Sequence, residues 1–86
     1  MVSKIVEKVY EKIENGEKLY VSINYGTDHL IGSIDPDIIN TKGDVIYIEG
    51  DGFSFTITNK EGIDISYDDI EEEFIIKSEN ITYYLS

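Results

Sequence analysis

Only one segment of the chain has helical periodicity, and this scarcity of helix limits what the chain can fold into. Ser3 stands where a helix cap is expected, and apolar residues then recur at intervals of three and four positions. Asn15 and Gly16 end the pattern, since such residues are typical of helix C-termini. The sequence therefore predicts a helix over residues 3–15 with an apolar face made of Ile5, Val6, Val9, Tyr10 and Ile13.

The rest of the chain, residues 18–85, predicts an antiparallel β meander. Short segments alternate apolar and polar side chains and are separated by Gly, Asn, Asp and Pro. Because no second helix is present to connect parallel strands, the strands must pair antiparallel. Six to seven strands are expected, with the sequences KLYVSIN, HLIGSI, VIYIE, FSFTIT, IDIS, FIIK and ITYYL.

The connections between these strands also carry predictions. Gly32, inside the second strand, indicates a β-bulge, and residues 35–37 (DPD) break the chain before a turn at residues 40–44. Gly50-Asp51-Gly52 and Ser78-Glu79-Asn80 predict two hairpins. Tyr67 to Ile70 resembles a single helical turn, with Ser66 capping the amide of Asp69.

These elements predict one α+β domain spanning residues 1–86, with an N-terminal helix and a strongly bent antiparallel sheet. Two architectures remain open, a small barrel of SH3-like or Sm-like type and a curved open sheet with the helix across one face. The apolar face of each element supplies the expected core. Its members are Ile5, Val9, Ile13, Leu19, Val21, Ile23, Ile46, Ile48, Phe53, Phe55, Ile57, Ile63, Ile65, Phe74, Ile76 and Ile81.

The composition is strongly acidic: 18 Asp and Glu against seven Lys and no Arg give a net charge of −11. Such a charge attracts basic partners and repels nucleic acid and anionic membranes. No cysteine is present to form a disulfide or a thiolate. No apolar run reaches the ~18 residues of a membrane span, and the first residues do not resemble a signal peptide. A cytoplasmic protein is expected.

Enzymatic and metal-binding motifs are not found. His29 is the single histidine, and no G-x-S-x-G segment accompanies it. The acidic segments do not have the ligand spacing of a calcium loop. The sequence therefore predicts a non-enzymatic protein with no catalytic residue, no cofactor and no metal.

Acidic residues are concentrated in the stretch DISYDDIEEEFIIKSE, residues 64–79. If Phe74 and Ile76 face the core, Glu72 would also point inward along a regular strand, where an unpaired carboxylate is costly. Glu71 to Glu73 are therefore expected in a turn or at the exposed start of a strand. The predicted partner-binding residues are Asp64, Asp68, Asp69, Glu71, Glu72, Glu73 and Glu79.

A small acidic α+β protein with these carboxylates resembles the phage-encoded inhibitors that imitate DNA, of which the anti-CRISPR proteins are a group. The resemblance implies a protein of an infected or carrying host cell that occupies the basic channel of a nucleic-acid-binding protein, such as a Cas effector. Two alternatives remain. The acids can be a solvated turn that protects a sheet edge, or the protein can be a self-assembling module in which ITYYL, containing Tyr84, pairs with a second copy.

Overall fold

A computed structural model describes residues 2–50, 52–58 and 62–86, without the side chain of Phe53. It contains one helix followed by eight antiparallel strands in two sheets, so the α+β prediction is confirmed with more strands than expected. Within the described residues, no helix is long and apolar enough to cross a membrane. The elements are α1 (Val2–Asn15), β1 (Leu19–Tyr25), β2 (Asp28–Ile34), β3 (Pro36–Lys42), β4 (Val45–Gly50), β5 (Phe53–Thr58), β6 (Asp64–Asp68), β7 (Glu73–Lys77) and β8 (Ile81–Leu85).

Helix α1 ends as predicted and begins one residue early. Gly16 adopts a left-handed φ of 65°, and the amide of Glu17 donates to the carbonyl of Lys12 at 2.9 Å, as in a Schellman C-cap. Because the helix already includes Val2, Ser3 lies inside the first turn and not at the cap position. Tyr10, predicted on the apolar face, is 55% exposed.

The eighth strand is β3, which the sequence analysis treated as a chain break and a turn. Pro36 is tolerated because it is the first residue of a strand at the edge of its sheet. The pairing register shifts between Pro36 and Ile38, which disturbs the alternation that marks a strand. The bulge therefore lies here, and the one predicted at Gly32 is wrong, since Gly32 is in regular register with Val21.

The strand order is β2-β1-β8-β7-β6 in one sheet and β3-β4-β5 in the other. The last strand, β8, lies between β1 and β7, so the order is not that of a simple meander. Neither sheet closes, which excludes the barrel. Because β8 is interior, the expectation that ITYYL forms a free edge is also wrong.

The core lies between the two sheets and α1. The predicted members that are fully buried are Ile5, Val9, Leu19, Ile46, Ile48, Ile57, Phe74 and Ile76. Leu85, which the prediction omitted, is also buried. Seven other predicted members are half-buried: Ile13, Val21, Ile23, Phe55, Ile63, Ile65 and Ile81. The side chain of Phe53, the remaining predicted member, lies outside the described part of the structure.

Candidate functional site

Five of the seven predicted site residues are brought together where β6 turns into β7. Asp68 ends β6 and Glu73 begins β7, and the two are direct cross-strand partners. Asp69, Ile70, Glu71 and Glu72 form the loop between them. We call residues 68–73 the acidic turn. Glu71 and Glu72 lie in the turn, as expected, whereas Glu73 is the first residue of β7 and is half-buried, not fully exposed as expected.

The conformation of the acidic turn comes from its own residues. The carboxylate oxygen Oδ1 of Asp68 accepts hydrogen bonds from the amides of Ile70 at 2.9 Å and Glu71 at 3.3 Å. This is the Asx-turn arrangement that short acidic side chains favour. Tyr67 belongs to β6, so the predicted helical turn with a Ser66 cap is wrong.

Glu72 has a backbone conformation that is unusual for its residue type. Its φ is 54°, in the left-handed region, and it is the one non-glycine residue with positive φ among those described. This conformation costs roughly 1–2 kcal/mol for a residue with a Cβ atom. Glu72 thereby avoids the inward orientation that regular strand alternation would have given it, and it remains exposed.

The acidic turn is also unfavourable electrostatically. Like charges placed directly opposite each other on paired strands are destabilising, and Asp68 and Glu73 have this relation. Partial burial raises the pKa of the Glu73 carboxyl, and the nearby carboxylates of Glu71 and Asp68 raise it further.

Ion pairs within the described residues do not involve the acidic turn. They join Lys12 to Glu17 and Lys18 to Asp35. Asp69 lines a shallow groove together with Lys4 and Lys8 of α1 but forms no ion pair with them. The carboxylates of the acidic turn are therefore not neutralised by close contact with described lysines.

Asp64 and Glu79 do not belong to this cluster. Asp64 is at the opposite end of β6, where it faces Lys77 across the strands. It is four positions along the strand from Asp68, or about 13 Å. Glu79 lies in the β7–β8 turn and lines a different pocket. These two predicted partner-binding residues therefore lie outside the acidic turn.

Ile70 also belongs to this surface, although it is not among the predicted partner-binding residues. It lies in the acidic turn and is 90% exposed, more than any other large apolar residue described. The signal was present as a single apolar residue inside the acidic run DDIEEE. An exposed isoleucine surrounded by carboxylates provides apolar contact area within a charged surface.

Three other features of the described residues bear on chemistry: the histidine, the pocket lined by Glu79 and the grouping of possible metal ligands. An imidazole nitrogen of His29 is hydrogen-bonded to the Asn24 side-chain oxygen on the exposed face of the larger sheet. The pocket that Glu79 lines has a volume of about 560 Å³ and contains no histidine or lysine among its described lining residues. Among the described residues, no group of three acidic or histidine side chains is placed to hold a metal ion.

Comparisons with known proteins identify no relative of this chain. No family model matches the chain, and no curated protein and no solved structure matches it.

Proposed function

We propose that this protein is a non-enzymatic inhibitor that binds a nucleic-acid-handling protein through the acidic turn. The carboxylates occupy a Lys- and Arg-lined surface that normally holds a phosphate backbone. The observation that carries the proposal is the dense charge of the acidic turn, which opposes folding and which no described lysine neutralises by close contact.

The geometry of the turn suits this role. Asp68 and Glu73 are a hydrogen-bonded cross-strand pair, which places their Cα atoms about 5.5 Å apart. Five carboxylates within six consecutive residues make a locally dense negative surface, as does duplex DNA, which carries one negative charge per ~1.7 Å of helix axis. The Asx-turn of Asp68 and the strands on either side hold the group in one arrangement, so a partner loses little entropy in ordering it.

The partner follows from this chemistry. A channel that binds nucleic acid is lined with basic side chains, so it would attract the acidic turn at long range and pair with its carboxylates on contact. Ile70 adds an apolar group that can enter a gap between basic side chains. Cas effectors are candidate targets because they hold nucleic acid in such channels. We place this activity in the cytoplasm of an infected or carrying host cell.

A charge-matched pair of variants tests the proposal. The first variant neutralises the acidic turn through Asp68→Asn, Asp69→Asn, Glu71→Gln, Glu72→Gln and Glu73→Gln. The Asn at position 68 keeps a side-chain oxygen to accept the turn hydrogen bonds. The control neutralises five exposed acids elsewhere that form no ion pair with a described lysine, through Glu11→Gln, Glu14→Gln, Asp28→Asn, Asp44→Asn and Glu49→Gln. Both variants change the net charge from −11 to −6, which is −11 + 5.

The assay starts with capture of the binding protein from a host lysate by the tagged wild type, followed by affinity measurements at several salt concentrations. The turn variant should lose orders of magnitude in affinity, since close interfacial charge pairs are coupled by ~1.5 kcal/mol or more. The control variant should keep most of the wild-type affinity. Duplex DNA should compete with the wild type for the captured protein. Equal losses in both variants would show that net charge, and not the acidic turn, drives binding.

A further inference from the structure

Strand β2 is a free edge of the larger sheet, and its exposure is unusual for a strand. It pairs with β1 alone, and no described strand lies along its other side. Six of its seven residues are exposed. Leu30 is 67% exposed and Ile31 is 70% exposed, although they point to opposite faces of the sheet. Natural edge strands are usually protected by charges or proline, and the middle of β2 has neither.

The hydrogen bonds of β1 determine which groups of β2 are free. Tyr20 and Ser86 exchange two backbone hydrogen bonds, at 3.0 and 3.4 Å. Tyr20, Ser22 and Asn24 therefore direct their backbone groups toward β8, and the odd-numbered residues of β1 direct theirs toward β2. The outward backbone groups of β2 are consequently those of His29, Ile31 and Ser33.

We propose that a second copy of this chain pairs with β2, strand to strand and antiparallel, about a two-fold axis at Ile31. In this register Ile31 faces its own counterpart, and His29 faces Ser33 of the second copy in both directions. All three residues have outward backbone groups, so the pair forms about six new hydrogen bonds. This inference does not depend on the proposed inhibitory function.

The side chains of β2 are self-complementary in the same register. Leu30 faces Gly32 of the second copy. A Cβ atom added at Gly32 would have no heavy atom within 4 Å, so the leucine has open space above the glycine. Leu30 and Gly32 line an apolar groove with Val21, Ile23 and Phe55, and the leucine of the second copy would cover part of it. On the other face, the two Ile31 side chains contact each other.

Charge favours β2 over the other edge of this sheet. Across the β2 pair, Asp28 faces Ile34, so no acid is directly opposite an acid. Strand β6 has Asp64 and Asp68 on its edge and would repel a second copy. Pairing through β2 also leaves the acidic turns at opposite ends of the joined sheet, up to about 43 Å apart at ~4.8 Å per strand interval. That distance is several times the ~8 Å Debye length at physiological salt.

The contact is that of a single strand, below the ~800 Å² per partner of a standard stable interface. The dimer should therefore be concentration-dependent, forming between micromolar and millimolar protein. A second copy is favoured over an unrelated peptide because the complementarity of Leu30 with Gly32, and of Ile31 with itself, is already present in this one strand.

The absence of cysteine from the chain allows a direct test. Under the proposal, Ile31→Cys should form an intermolecular disulfide on mild oxidation, because the Cα atoms across the axis would be about 5.5 Å apart, within disulfide range. The control is Ile38→Cys on β3, the edge strand of the other sheet, where the native side chain is 54% exposed. Non-reducing gels should show a covalent dimer for the first variant and monomer for the control.

Sedimentation equilibrium of cysteine-free protein provides the second measurement. The wild type should associate as its concentration rises, Ile31→Lys should weaken association at least tenfold, and Ile38→Lys should not. Far-UV circular dichroism checks that each variant is folded. A wild type that stays monomeric to millimolar concentration would overturn the proposal, as would equal cross-linking of both cysteine variants. If β2 binds an unrelated peptide and not a second copy, the protein should stay monomeric and Ile31→Cys should not form a covalent dimer. That outcome would also overturn the proposal.

Discussion

Replacing Glu73 by Gln should stabilise the protein, although Glu73 lies within the proposed binding surface. The substitution keeps the size of the side chain and one acceptor oxygen, and it removes the charge. Asp68 remains opposite and can then be ionised without a like charge on the neighbouring strand. The partial burial that raises the pKa of Glu73 also penalises its charged form and not a neutral amide.

The size of the effect follows from the opposed placement of the two residues. With the Cα separation of about 5.5 Å for such a pair taken as the charge spacing, two unit charges in a water-like dielectric repel by ~0.75 kcal/mol. Directly opposed pairs on a sheet differ from neutral pairs by roughly 0.2–1 kcal/mol. The expected gain in the free energy of unfolding is therefore about 0.5–1 kcal/mol. For a domain of this size that gain raises Tm by roughly 2–8 °C.

The effect depends on pH in a defined direction. Glu73 holds its proton more tightly in the folded protein than in the unfolded chain, because its folded-state pKa is raised above the ordinary value of 4.5. The folded state therefore carries more protons between pH 4.5 and the raised pKa, and its stability falls as pH increases through that window. The destabilisation caused by ionised Glu73 is fully present at pH values above the raised pKa and absent below pH 4.5. Glu73→Gln should be most stabilising at neutral pH, with little effect at pH below 4.5.

Urea denaturation of wild type and variant at a series of pH values measures this difference. Asp64→Asn is a suitable control, because Asp64 is on the same hairpin but faces Lys77. That variant should not be stabilised. A Glu73→Gln protein that is no more stable than wild type at pH 7, or equally stabilised at every pH, would refute the reasoning about like-charge repulsion.

The Glu72→Gly variant should have a free energy of unfolding about 1 kcal/mol higher than the Glu72→Ala variant, because only glycine adopts the left-handed φ of 54° without steric strain. Equal urea midpoints for the two variants would contradict this. Phe74→Ala should lower the free energy of unfolding by about 3–5 kcal/mol, because Phe74 is 4% exposed and its ring centroid lies 4.8 Å from that of Tyr67. A loss below ~1 kcal/mol in urea denaturation would place Phe74 outside the core. The wild type should give no mobility shift with DNA or RNA at physiological salt, owing to its net charge of −11; sub-micromolar binding would refute the proposed function.

Features that depend on neighbouring residues were predictable from the sequence. The end of α1 at Asn15 and Gly16 follows from the backbone freedom of glycine. The β4–β5 and β7–β8 hairpins follow from turn residues between alternating segments. The acidic turn was also predictable in outline, because its five carboxylates are close along the chain and cannot be separated by folding. Its internal geometry was not, since Ser66 and Asp68 are both plausible caps and only the β6–β7 register selects Asp68.

The order of the strands was decided by the tertiary structure alone. Alternation determines which side of a strand is apolar, but backbone hydrogen bonds are the same for any partner strand. The sequence therefore did not indicate that β8 lies between β1 and β7, which removes Tyr84 from any free edge and leaves β2 exposed. For the same reason, residues 64–79 appeared to be one acidic patch, whereas the hairpin places Asp64 at the end of β6 away from Asp68. The residues within each turn therefore determine its conformation. Pairing between strands distant in sequence determines which turns and sheet edges lie on the same surface.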